Sequence, residues 1–156
     1  MNKLVYPQLR NGLVGAWCPS IDRSRSTMLT DFSGYGNHGT LTNMDPGTDW
    51  VASDGKMALD FDGSNDYVLI NSSSVTALAD TITVSAWINP LVTTRSDLVS
   101  QWFSPTNNQH FILLQGVTSS QFGFFVSSGT GGVGTQGFNF SLNKWYHVCG
   151  TYDRAA

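Results

Sequence analysis

Aspartates are the only acids in this chain: all eleven acidic positions are Asp and glutamate is absent. Five oxygen-bearing side chains crowd one stretch, Asp60, Asp62, Ser64, Asn65 and Asp66. Three more, Asp31, Ser33 and Asn37, share a second stretch in which Gly34 and Gly36 free the backbone to turn. Calcium takes six to eight oxygens from carboxylates, amides and backbone carbonyls. Asp31, Asp60, Asp62 and Asp66 are therefore the candidate calcium ligands, assembled across loops because neither stretch has EF-hand spacing. The competing reading is structural: Asp and Asn at turns cap their own backbone amides, which accounts for Asp31, Asp62 and Asn65 without an ion.

The same aspartates are the only material for glycoside hydrolysis, which needs two flanking carboxyl groups. Asp60 and Asp62 are spaced i, i+2, one face of a strand. They precede Gly63-Ser64-Asn65, however, so the pair belongs to a hairpin end, where no dry pocket raises an acid's pKa. There is no Gly-x-Ser-x-Gly elbow, and His38, His110 and His147 have no signalled catalytic partner. His147 alternates with Trp145 and Cys149 and is expected to pack structurally, while His38 is expected to bond its own loop. The Gly-rich run at 129–137 is followed by neither a lysine nor a helix, so it is no phosphate cradle. The chain is not expected to be an enzyme.

Recognition of a sugar asks for flat apolar rings beside amides and hydroxyls. Rings outside the strand patterns are the candidates: Tyr35 in its glycine loop, Trp50 in the 46–56 loop, and Trp102 with Phe103. The last pair precedes an amide-rich run that contains Asn107 and Asn108. A plain solvated hairpin loop is the alternative for that run.

Elements that would position these groups are strands. Apolar residues step by two along 81–89, where Ile82, Val84, Ala86 and Ile88 alternate with Thr81, Thr83, Ser85 and Trp87. Met57, Leu59 and Phe61 alternate likewise. Short runs at 13–17, 66–70, 98–102, 110–115, 121–127, 135–140 and 145–152 are rich in β-branched and aromatic residues. Turn-forming Gly, Asn, Asp and Pro separate them. Residues 73–80 allow one helical turn. Eight to twelve strands with short loops predict an all-β antiparallel sandwich or jelly roll, with Trp17, Leu59, Phe61, Trp87 and Trp145 in the core.

Composition agrees. The 156 residues suffice for one domain with a substantial core, 40% are apolar and only 12% are charged. A net charge of −3 without a basic tract argues against nucleic acid as partner. No stretch approaches the ~20 apolar residues that cross a bilayer, so membrane insertion is not expected. The first ten residues carry Lys3 but break at Pro7 before any apolar run, unlike a secretory signal. Cys18 and Cys149 either form one bridge or are two small buried thiols.

Four stretches carry a family likeness: Gly12-Leu-Val-Gly-Ala-Trp17, Asp31-Phe-Ser-Gly-Tyr-Gly-Asn-His-Gly39, Ala58-Leu-Asp-Phe-Asp-Gly-Ser-Asn-Asp-Tyr-Val68 and Lys144-Trp-Tyr-His-Val-Cys-Gly-Thr-Tyr-Asp153. In this order and spacing the chain resembles the laminin-G-like domains of the concanavalin A-like lectin/glucanase superfamily. The strand around Thr83-Val-Ser-Ala-Trp-Ile88 fits the same family. The resemblance spans roughly residues 12–154 and implies an N-terminal arm at 1–11 followed by a laminin-G-like domain, truncated at its C-terminus, at 12–156. It implies a jelly roll of two packed sheets, glycan or protein binding outside the cell, on a cell surface or on a virion, and in many members one calcium ion. Such domains continue with closing strands after the fourth stretch. Taken as a whole polypeptide, this chain would have an open sheet edge from Trp145 to Tyr152, covered by a second copy, by a partner chain or by a truncated fold. Cys149 stands where alanine is common, which implies a small buried residue. A structural or assembly subunit using that edge is the alternative to a carbohydrate-binding module.

Overall fold

The computed structural model describes residues 11–71, 81–101, 110–116, 120–127 and 132–154. Among them there is no helix, and every strand pair is antiparallel. The all-β architecture read from the period of two is the one the chain adopts. It gathers into two compact units, Met1–Ala77 and Leu78–Ala156.

In the first unit, β1 (Met28–Leu29), β2 (Gly39–Thr42) and β5 (Tyr67–Ile70) form one sheet in the order β1-β2-β5. Between β2 and β5 the chain makes a hairpin of β3 (Trp50–Ser53) and β4 (Lys56–Leu59). Its two-residue turn is Asp54-Gly55, both at positive φ (49° and 75°). That is the backbone sign pattern of the type I′ turn, whose twist matches the flanking strands. Leu29, Leu41, Met44 and Trp50 are the buried core, with Trp17, Met57, Leu59 and Val68 packed against it.

The second unit contains β6 (Thr81–Ile88), β7 (Ser96–Gln101), β8 (His110–Gln115), β9 (Gln121–Ser127), β10 (Gly132–Asn139) and β11 (Tyr146–Asp153). Four of these make a sheet in the order β10-β9-β8-β7, and β11 with β6 makes a two-stranded ribbon. One face of each layer is apolar, so the two stack. Phe111, Leu113, Phe122, Phe124, Val126, Phe140 and Val148 are buried between them, with Ile82, Val84, Ala86 and Ile88 packed against the cluster. Each fully buried large side chain contributes about 1.5–3 kcal/mol of transfer free energy, so this cluster is the unit's main source of stability. The layers meet closely at Gly150, where the Phe124 ring fills the space a Cβ would need.

Several expectations are corrected. Residues 13–17 form no strand; Trp17 makes only an isolated bridge to Asp31. Trp50 does not lie in a loop but opens β3. Phe61 lies beyond the end of β4 and is exposed, because Asp60-Phe61-Asp62 has already left the ladder. Trp87, placed with the core by its strand, points outward. Cys149 is exposed rather than buried, and it and Cys18 are free thiols rather than a bridge. The helical turn at 73–80 lies outside the described residues.

Candidate recognition surface

A strand presents alternate side chains to opposite sides, and the ribbon of β6 and β11 shows what that makes available. Ile82, Val84, Ala86 and Ile88 of β6, with Tyr146, Val148 and Tyr152 of β11, join the core. The other set faces solvent: Thr81, Thr83, Ser85 and Trp87 on β6, and His147, Cys149, Thr151 and Asp153 on β11. The ladder sets these in register, pairing Trp87 with His147, Ser85 with Cys149, Thr83 with Thr151 and Thr81 with Asp153. The result is a flat polar strip ending in an aromatic pair. Trp87 is 67% exposed, and its ring centroid lies 5.2 Å from that of His147 at an interplanar angle of 42°.

Trp87 and His147 were both expected to pack inside. The core is filled instead by the aliphatic set one residue out of phase. Trp87 shares its parity with two threonines and a serine, and that company was the signal for an outward face.

The other unit holds Tyr35 on a stapled loop. Asp31 is buried, and its carboxylate accepts four hydrogen bonds: Oδ1 from the N–H groups of Ala16 (2.9 Å) and Ser33 (2.8 Å), Oδ2 from the Ser33 hydroxyl (2.7 Å) and the Asn37 N–H (2.9 Å). His38 Nδ1 accepts from the Asp31 N–H at 3.1 Å, within its own loop as expected. Asn37 is itself tied down: its amide donates to the Val14 carbonyl (2.6 Å), and its carbonyl accepts from the Trp17 indole (2.8 Å). Burial by itself would raise the Asp31 pKa, but the bonds from Ser33, Ala16 and Asn37 outweigh it and hold the carboxyl below its ordinary value. At the tip of this loop Tyr35 is 65% exposed.

The remaining candidates are placed differently. Trp50 is 7% exposed, with its indole N–H donating to the Ser26 carbonyl at 3.1 Å, so it has no ring face to offer a ligand. Trp102, Phe103, Asn107 and Asn108 lie outside the described residues. Asp62 caps its own turn, accepting from the Ser64 N–H at 2.7 Å and the Asn65 N–H at 3.3 Å, and Asp66 accepts from the Asp62 N–H at 2.9 Å. Asp60 and Asp62 are exposed, the opposite of the dry setting an acid catalyst needs.

The structure does not gather Asp31, Asp60, Asp62 and Asp66 into one cluster. Among the described residues no three of His, Cys, Asp or Glu converge as a metal site. Asp31, moreover, already directs both oxygens at N–H and O–H donors, which occupy the directions a cation would need.

Residues 62–156 match the laminin G family model described as the concanavalin A-like lectin/glucanases superfamily. No curated protein matches the chain, and no solved structure does. Domains of this kind often bind carbohydrates or proteins, are generally non-catalytic and are typically extracellular. Among the described residues, no helix is long and apolar enough to cross a membrane. The match takes in β5 through β11, including the whole ribbon and its Trp87–His147 pair, and with it this chain belongs to the concanavalin A-like lectin/glucanases superfamily as a laminin G-like member.

Proposed function

We propose that the chain is a non-catalytic recognition module that binds carbohydrate through the outer face of β6 and β11, at a cell or particle surface. The observation that carries this reading is Trp87, an indole on a strand rather than on a loop, with most of its surface open to solvent. An exposed indole loses its hydration when the C–H face of a pyranose stacks on it, which is favourable in proportion to the apolar area covered. The hydroxyls of Thr83, Ser85 and Thr151 then meet the ring's own hydroxyls, and Asp153 supplies an acceptor at the far end. A strip with Asp153 as its one acid and no lysine or arginine suits an uncharged polyol better than an anion. Tyr35, in the other unit, and the 102–109 run with Asn107 and Asn108 are the further candidates for ligand contact.

A glycan array followed by titration calorimetry tests this reading. Saturable binding that weakens at least tenfold in Trp87→Ala, with an unchanged melting temperature, is the expected result. A silent array, or equal binding by the variant, overturns it.

A second reading is favoured by one observation. Among the described residues the ladder partner of β11 is β6 alone, so eight residues present an edge to which another chain can add. On that reading the protein is a structural or assembly subunit whose partner covers the edge from Trp145 to Tyr152.

A further inference from the structure

Strand β11 turns two metal-ligating side chains to one side. His147 and Cys149 are two residues apart and both exposed, on the outer face of the ribbon. Same-face neighbours on a strand stand about 7 Å apart at the backbone. From there the imidazole and the thiol can lean together onto one ion, with bonds of about 2.0–2.1 Å to nitrogen and about 2.3 Å to sulfur. Neither group is committed elsewhere. Cys149 is a free thiol, and among the described residues neither side chain makes a hydrogen bond. The contact His147 does make is with the Trp87 ring, at 5.2 Å between centroids and 42° between planes. That contact steadies the imidazole without using its nitrogens.

A nitrogen and a sulfur donor together favour zinc over the hard cations, which prefer oxygen. Structural zinc is almost always tetrahedral with four ligands, and the described residues gather no third His, Cys, Asp or Glu around these two. The carboxylate on the same face, Asp153, is four residues further on, about 14 Å along the strand. Across the ribbon the facing rungs offer Trp87 and Ser85, neither of which is a usual zinc ligand. The pair is half a site.

We propose that two copies of the chain share one zinc ion between their ribbons, each supplying the imidazole of His147 and the thiolate of Cys149. A second copy is the occupant the chemistry favours because it brings the same pair, and two such pairs make the tetrahedral set of two nitrogens and two sulfurs. The contact is then isologous, with a two-fold axis through the ion. Packed sheets stand about 10 Å apart, so each side chain has about 5 Å to reach the midplane, a span both cover with the metal bond included. Each thiol gives its proton to water as its sulfur binds, and each imidazole binds in its neutral form. Trp87, 67% exposed, lies beside the ion in both copies, so pairing also takes apolar surface out of water. The inference goes beyond the glycan reading and does not rest on it, although zinc and sugar would compete for one face.

The full chain is titrated with cobalt(II), a coloured stand-in, and with zinc, both under a thiol-free reductant, and its mass is followed by sedimentation velocity. A thiolate-to-cobalt charge-transfer band, displacement of cobalt by zinc, and a dimer holding one ion per two chains are expected. His147→Ala and Cys149→Ser should each weaken zinc binding at least tenfold and abolish the dimer. Both positions are exposed, so the melting temperature should hold. Cys18→Ser, which removes the other thiol, should behave as the unaltered chain. Absence of the thiolate band, or its survival in Cys149→Ser, overturns the proposal. So does a monomer holding one ion per chain, because a shared site requires two copies. A dimer that persists in EDTA overturns it as well, since the ion would not be what joins the copies.

Discussion

The two units hold themselves together by different means. Around residues 14–39 the first unit has little strand, so many backbone N–H groups lack a ladder partner. Carboxylates take that role: Asp31 accepts from three backbone N–H groups, while Asp22 accepts from Ser24 at 3.0 Å and Thr30 at 2.7 Å. Buried amides must be paired somewhere, and here side chains do it. In the second unit the ladders among β6 to β11 do that pairing, and the inward side chains are free to be aromatic. The contrast teaches where each unit is vulnerable, one to the loss of an oxygen or to acid, the other to the loss of volume.

The largest effect should come from hollowing the second unit. Phe124→Ala removes the ring that β11 rests on and should cost about 3–5 kcal/mol in urea unfolding; a loss below about 1 kcal/mol would break the comparison. Next, Asp31→Asn keeps the size but turns an amide N–H₂ toward groups that themselves donate. A loss of about 2–3 kcal/mol follows from stranded buried donors and weakened charge-assisted bonds.

Acid should act on the same carboxyl group. The pKa values of Asp22 and Asp31 are held below the ordinary 3.8 because hydrogen bonds outweigh burial, which acts to raise them. Between the folded and unfolded values the unfolded chain binds more protons, so these groups stabilise fully above the unfolded value, and that stability is lost as pH falls through the folded one. The fall in stability below about pH 4 should be shallower in Asp31→Asn. An identical acid limb in both proteins would remove the carboxylate from the account.

A smaller loss, about 1–3 kcal/mol, is expected for Gly150→Ala, whose methyl must displace the Phe124 ring. Circular dichroism melts would check it, and a neutral result would mean that β11 can lift off β9. The smallest stability change belongs to Trp87→Ala, within about 0.5 kcal/mol because its ring is already in water. A large loss there would show that the ring is structural, and would sharpen the boundary between core and recognition face.

Much of the second unit was legible from alternation. The runs at 110–115 and 121–127 are strands with those bounds, 81–89 runs one residue past β6, and 145–152 is displaced by one residue from β11. The first unit was harder to read because its strands are only two to four residues long, too short for a period to show. Trp50 was assigned to a loop for that reason, although Asp54-Gly55 between two short apolar runs is itself a strong hairpin signal. Met28–Leu29 and Gly39–Thr42 have no such marker. In the candidate site, Asp31 as a turn cap and Tyr35 in its glycine loop could be read locally, since both depend on residues a few positions away. The pairing of Trp87 with His147 could not be, because it depends on the register of two strands about 60 residues apart.

By itself the sequence determined that this chain folds as short antiparallel strands and that glutamate chemistry is excluded within it, and it offered turn capping beside calcium for Asp31 and Asp62. These follow from composition and from interactions a few residues long. Only the tertiary structure decided which alternate face turned outward and that Trp50 and Trp87 exchanged their expected places. A strand has two equivalent faces until another layer packs on one of them, and that choice depends on partners far away along the chain.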